Sequence, residues 1–168
     1  MSRLLKEHVQ ALIQTHGLQI LSFINDRETT LLIGHGSQYF WPIFRLSEEY
    51  LDGHSNAMDR WSRRIGAQLA KQLNCQVFFP FDGPPYEPFL AMAQANGDST
   101  PTPLGIHFHR RHGLWHGYRF GLRLSTDNTL IGPEKATQVA NQPCDGCPQP
   151  CMNTCPVGAF TAQGYDVE

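Results

Sequence analysis

The sequence predicts an α+β body followed by a small cysteine-rich module. Three observations carry that reading. Helical and β-type apolar patterns interleave along the first part of the chain. The stretch 127–142 is poor in large apolar residues. Four of the five cysteines then fall within twelve residues, from Cys144 to Cys155. The expected boundaries are a body over 1–126, a linker over 127–142 and a cysteine module over 143–168.

Leu4, Leu5, Val9, Leu12 and Ile13 recur at helical spacing, and Gly17 is a natural stop. Leu18 to Asn25 reads as a strand. A turn at Asp26, Arg27 and Glu28 leads to a second strand over Thr29 to Ile33. The small residues Gly34, His35, Gly36 and Ser37 then form a corner before a helix, where backbone can approach a ligand or simply turn tightly. The dinucleotide fingerprint is not met, because Tyr39 stands where its third glycine belongs. Tyr39 to Leu46 opens an apolar helix with Pro42 in its first turn, and Leu51 to Asn56 reads as a loop.

Ala57 to Leu73 is the clearest helix. Trp61, Ile65, Leu69 and Leu73 form its apolar stripe, and Arg60, Arg63, Arg64 and Lys71 its other faces. That basic face is either solvated or meets a phosphate or an acidic redox partner. Cys75 to Phe81 is β-type and ends in a proline-rich turn. Tyr86 to Ala95 reads as a helix and Asn96 to Pro103 as a polar loop. Leu104 to Phe108 and Leu114 to Leu124 read as strands split by Arg110 to Gly113.

Net charge of −2 and a pI near 6.4 argue against a nucleic-acid binder driven by bulk charge. A hydrophobic share of 40% suffices for a sizeable core. No apolar run approaches the ~20 residues that span a bilayer. The first residues enter an amphipathic pattern, not a leader, so the expected compartment is the cytoplasm, where thiols stay reduced. Oligomeric state is not legible.

His107, His109, His112 and His116 crowd one region. Side-chain alternation puts His107 and His109 on one strand face. Three readings stay open: metal ligation, a pocket lining, and polar positions around a turn. No carboxylate neighbours them in sequence to orient a ligating imidazole. Asp82, Tyr86 and Glu87 are the acids and phenol offered for catalysis, but nothing separates them from ordinary loop residues, so no catalytic residue is assigned.

The run Cys144, Cys147, Cys151, Cys155, Pro156 has the pattern C-x-x-C-x-x-x-C-x-x-x-C-P. Thiolates are soft ligands that suit iron–sulfur clusters or zinc. Structural zinc generally draws on two separated C-x-x-C pairs, and disulfides belong with a secretory context. One compact run ending in C-x-x-x-C-P resembles the bacterial ferredoxin pattern, which holds a [4Fe–4S] cluster. Here three residues separate the second and third cysteines, where that pattern has two. Val157 to Phe160 then reads as the turn into a strand. The simplest assignment gives all four cysteines to one cluster. A second cluster using Cys155 would need ligands beyond Glu168. Cys75 reads as a small buried residue.

The order of elements resembles that of the cobalamin-processing reductases. The resemblance rests on Leu31 to Leu46, on His54 to Trp61 opening a long helix, and above all on Ile106 to Arg119. That last segment is similar to their His-Pro-Arg-x-Gly-Gly-Trp-x-x-x-Arg pattern, with His109, Arg111, Gly113, Trp115 and Arg119 on matching positions. The combination with ferredoxin-type cysteines is similar to epoxyqueuosine reductases and reductive dehalogenases. The resemblance implies a mainly antiparallel sheet flanked by helices, as in nitroreductase-like and corrinoid-reductase-like bodies. It also implies that those five residues contact a small-molecule cofactor, a corrinoid first and a flavin second, and that a redox protein donates electrons. The expected function is iron–sulfur electron transfer to that cofactor. The alternatives are a non-catalytic ferredoxin-like or corrinoid-carrier module, and a zinc-stapled structural protein.

Overall fold

The computed structural model describes residues 2–25, 28–124, 142–161 and 164–166. The first helix, α1 (Ser2–Gln14), leads into a hairpin of β1 (Gln19–Asn25) and β2 (Thr29–His35). Two short helices follow, α2 (Phe40–Phe44) and α3 (Glu48–Leu51), then the long α4 (Ala57–Leu73). After β3 (Gln76–Phe78) and α5 (Phe89–Ala95) come β4 (Ser99–Pro101), β5 (His107–His109) and β6 (Gly117–Leu124). The cysteine region holds α6 (Pro150–Asn153), β7 (Phe160–Thr161) and β8 (Gly164–Tyr165). The predicted linker over 127–142 lies outside the described residues except for Gln142, as do Asp26 and Arg27 of the predicted hairpin turn.

The body is α+β, with a four-stranded antiparallel sheet in the order β1-β2-β6-β3. Side chains alternate across a strand, so β2 serves both faces. Leu31 and Ile33 join Val9, Ile13, Trp61, Ile65, Leu69, Phe120 and Leu122 in the larger core, beneath α1 and α4. Leu32 joins Leu21, Phe78, Phe89, Ala93 and Tyr118 on the other face, beneath α5. A strand buried on both faces cannot carry a polar–apolar alternation, which explains the unbroken run Thr29 to Gly34.

Two irregularities steer the sheet. Leu21 is an extra residue on β1 between the pairs Ile20–Ile33 and Ser22–Leu32. Arg119 is an extra residue on β6 between the pairs Ile33–Phe120 and Gly34–Tyr118. Such a bulge reverses the facing of the residues beyond it. Accordingly Phe120 packs in the larger core and Tyr118 in the smaller one.

Several elements differ from expectation. The second strand runs on through His35, because β6 pairs with it to Gly117. Asn96 to Pro103 is not simply a polar loop. It contains β4, and its Asp98 is buried through an ion pair with Arg110 (2.8 Å) and a bond from the Ser22 hydroxyl (2.6 Å). Polar residues buried by pairing with one another give no apolar signal. The strand expected from Leu114 begins only at Gly117. The helix expected from Tyr86 begins at Phe89, because Pro88 precedes it.

Gly34 marks the tightest approach. A Cβ there would stand 2.1 Å from the Gly117 carbonyl oxygen of the neighbouring strand. Gly34→Ala should therefore cost about 1–3 kcal/mol or more, read as a lower urea midpoint. An unchanged midpoint would contradict this pairing of β2 with β6.

Candidate functional site

Where β2 leaves the sheet, His35, Gly36 and Ser37 meet the turn that carries Leu114, Trp115 and His116. Phe40 and Trp41 of α2 and Met58 of α4 close the site, and the cleft measures about 590 Å³. That size suits a small-molecule or cofactor site. None of its lining residues is a carboxylate, lysine or arginine. The indoles of Trp41 and Trp115 are both exposed, Trp115 at 87%. The corner expected either to contact a ligand or merely to turn thus forms part of the cleft wall.

Close packing builds this wall. A Cβ on Gly36 would lie 2.6 Å from Cγ of His112, so only glycine lets that ring lie against the corner. His35 stacks on Phe40 with ring centroids 4.4 Å apart. His109 lies between two other imidazoles, stacked on His112 at 4.9 Å and tilted against His116 at 5.1 Å.

The five residues matched to the reductase pattern have different placements. Trp115 lines the cleft. His109 is buried with both ring nitrogens engaged: Nε2 lies 2.9 Å from the Leu21 carbonyl oxygen, and Nδ1 accepts from the Arg111 N–H at 3.1 Å. It supports the cleft through His116 and His112. Gly113 has φ +59° and closes the turn by pairing with His109. Arg111 is exposed on that turn. Arg119 is largely buried, donates from Nε to the Tyr118 carbonyl (2.8 Å), and faces Asp59 at 3.7 Å.

His107 stands apart, its Nδ1 3.0 Å from the Ser99 hydroxyl. Asp98, not adjacent in sequence, lies within electrostatic range of His109 and Tyr118. Sequence reasoning missed it because folding alone brings β4 to β5. Asp82 pairs with Arg63, Glu87 with Arg123 (2.7 Å), and Tyr86 is exposed. The arginines of the basic face of α4 are likewise matched from within: Arg60 meets Asp52 at 2.7 Å, and Arg64 grips Glu49 with two bonds.

Cys144, Cys151 and Cys155 are half-buried and Cys147 is exposed, all as free thiols. Left-handed residues at Gly146 (φ +70°), Gln149 (φ +51°) and Gly158 (φ +64°) fold the run into successive tight turns. These turns aim backbone donors at sulfur. The Gln149 N–H donates to Cys147 Sγ at 3.4 Å. The backbone amides of Ala159, Val157 and Gly158 beside Cys155 hold its thiol below the ordinary range. β7 begins at Phe160, after the turn at residues 156–157. Among the described residues, no three His, Cys, Asp or Glu side chains converge on one metal-binding point. The four thiols are therefore close in sequence without being drawn to a centre, and the histidines do not converge in threes on one either. Cys75 packs against the core, and burial pushes its thiol up to about 11.

No protein-family model, curated protein or solved structure matches this chain. Among the described residues, no helix is long and apolar enough to cross a membrane.

Burial, then the charge of Arg119 and the neighbouring His116, lower the His35 pKa from 6.5 to about 4. Burial lowers His16, His107, His109, His112 and His116 as well. An unfolded chain takes up protons near pH 6.5, and the folded body resists them. Stability is thus complete above pH 6.5 and lost as pH falls towards the folded pKa values. The melting temperature should fall from pH 7.5 to pH 5, by about 2–4 °C per kcal/mol lost. His35→Asn should flatten that slope. A melting temperature independent of pH across this window would contradict the assignment of neutral buried imidazoles.

Proposed function

We propose that this chain is an iron–sulfur redox protein that delivers electrons to a cofactor seated in the cleft of its body, a corrinoid in first place and a flavin in second. The observation that carries this reading is the cysteine run with its aimed backbone donors. Bonds from N–H groups to sulfur favour thiolate and tune the potential of an iron–sulfur centre. The donor set fits a cubane: four thiols in twelve residues, with Cys147 already receiving such a bond and Cys155 held low by the backbone amides beside it. Metal modules of this size close around their metal, since binding and folding are coupled. Cys144, Cys147, Cys151 and Cys155 would hold the cluster, which supplies one-electron chemistry when bound.

The body supplies the receiving site. Trp41 and Trp115 offer flat apolar surface to a planar ring, and the glycine corner brings backbone amides to the cleft wall. No acid lines the cleft, and the acids of the proline-rich turn are tied up in ion pairs. Side-chain acid catalysis on a further substrate is therefore not part of the proposal. The ferredoxin-like module, the corrinoid-reductase-like body, the redox donor protein and the cytoplasmic setting belong to the same proposal.

Anaerobic purification should yield brown protein with about four iron and four sulfide per chain. Cys147→Ser should bleach most of that colour, and Cys75→Ser should leave it intact. Colourless protein with zinc and no sulfide would replace this reading with a zinc-stapled one.

A further inference from the structure

The cleft contains one side chain whose free lone pair the structure defines. His116 lines the cleft, and its Nδ1 lies 3.1 Å from the Gly113 carbonyl oxygen. A carbonyl can only accept, so in the neutral ring Nδ1 carries the proton and Nε2 keeps its lone pair. Among the described residues Nε2 has no protein partner. The Tyr118 hydroxyl is the one buried side-chain polar atom left without a partner there, so Nε2 is open to solvent. The ring is held in place by His109 at 5.1 Å and Tyr118 at 5.4 Å. Burial and the neighbouring His109 disfavour its protonation.

A fixed tautomer with an open second nitrogen is the arrangement of a ligating histidine, in which a backbone carbonyl commonly orients the ring. A hydrogen-bond donor on a ligand would be served equally by Ser37 or Gln38. What an imidazole adds is a lone pair of intermediate softness. A bare divalent cation is disfavoured in this cleft, because no carboxylate lines it and Arg119 is near enough to depress the pKa of His35. A metal already held by a macrocycle brings most of its own ligands and needs from the cleft only the one nitrogen that it offers. We propose that His116 ligates, through Nε2, the metal of a planar macrocyclic cofactor held in this cleft. The inference rests on the cofactor-binding reading above and deepens it. In the ligation step a metal–water bond breaks, a metal–Nε2 bond forms, and neutral water leaves with no change of oxidation state.

Aquacobalamin at neutral pH is the probe, with quenching of tryptophan fluorescence reporting binding and visible absorption reporting the axial ligand. The wild-type chain should show both quenching and a band shift that marks nitrogen in place of water. His116→Gln and His116→Ala, shown to be folded by circular dichroism, should keep the quenching and lose the shift. His107→Gln, outside the cleft, should keep both. Quenching without a shift in the wild type, or the same shift in both His116 variants, overturns the inference and leaves the cleft reading standing. No quenching in the wild type overturns the cleft reading and the inference with it.

Discussion

The fold depends on enclosing one strand completely. β2 is paired on both edges and buried on both faces, and Leu31, Leu32 and Ile33 are fully inaccessible. Burying a side chain of this kind contributes about 1.5–3 kcal/mol relative to leaving it exposed. The three together represent a large share of a typical folding free energy. Because α1 and α4 cover one face and α5 the other, the helices are placed by the needs of this strand. Its last residues, Gly34 and His35, are then delivered to the edge of the sheet at a fixed height beside Gly117.

The cleft is a consequence of how that strand ends. Gly34 lets the chain run within contact distance of β6, and the bulge at Arg119 reorients the end of β6 so that Tyr118 and Phe120 serve different cores. The turn before β6 therefore brings Trp115 and His116 against the corner after β2. Imidazoles kept neutral by burial fill the space behind them. They provide shape and lone pairs without charge, which distinguishes this cleft from the arginine-rich surface of α4, where every pair described is matched by an acid from the same chain.

The long helix was legible because its apolar residues recur at one period and face one core, and the first hairpin strands and the last strand of the body because their apolar runs are bounded by turn residues. Ala57 to Leu73 is helical over the predicted span. The corner at His35 to Ser37 was legible as a place of close approach, but not as a partner of His116, eighty residues on. β4 was not legible, since Ser99 and Asp98 are buried by hydrogen bonds and an ion pair instead of apolar contact. The role of His109 was legible only as a position in a pattern. Its two internal hydrogen bonds make it a support for the cleft wall. The cysteine spacing was plain in the sequence, whereas the backbone donors to Cys147 and Cys155 depend on left-handed turns that residue type only partly signals, as at Gln149.

A cysteine run and an uncharged aromatic cleft share one polypeptide, and the proposed link between them is electron transfer. The most direct test is to reduce the iron-loaded chain without oxygen, remove excess reductant, and mix it with aquacobalamin in a stopped-flow spectrometer. The iron–sulfur absorption is expected to return as the cobalamin bands change to those of a reduced state, at matching rates. Cobalamin that binds and stays oxidised while the iron–sulfur absorption stays bleached would contradict that link.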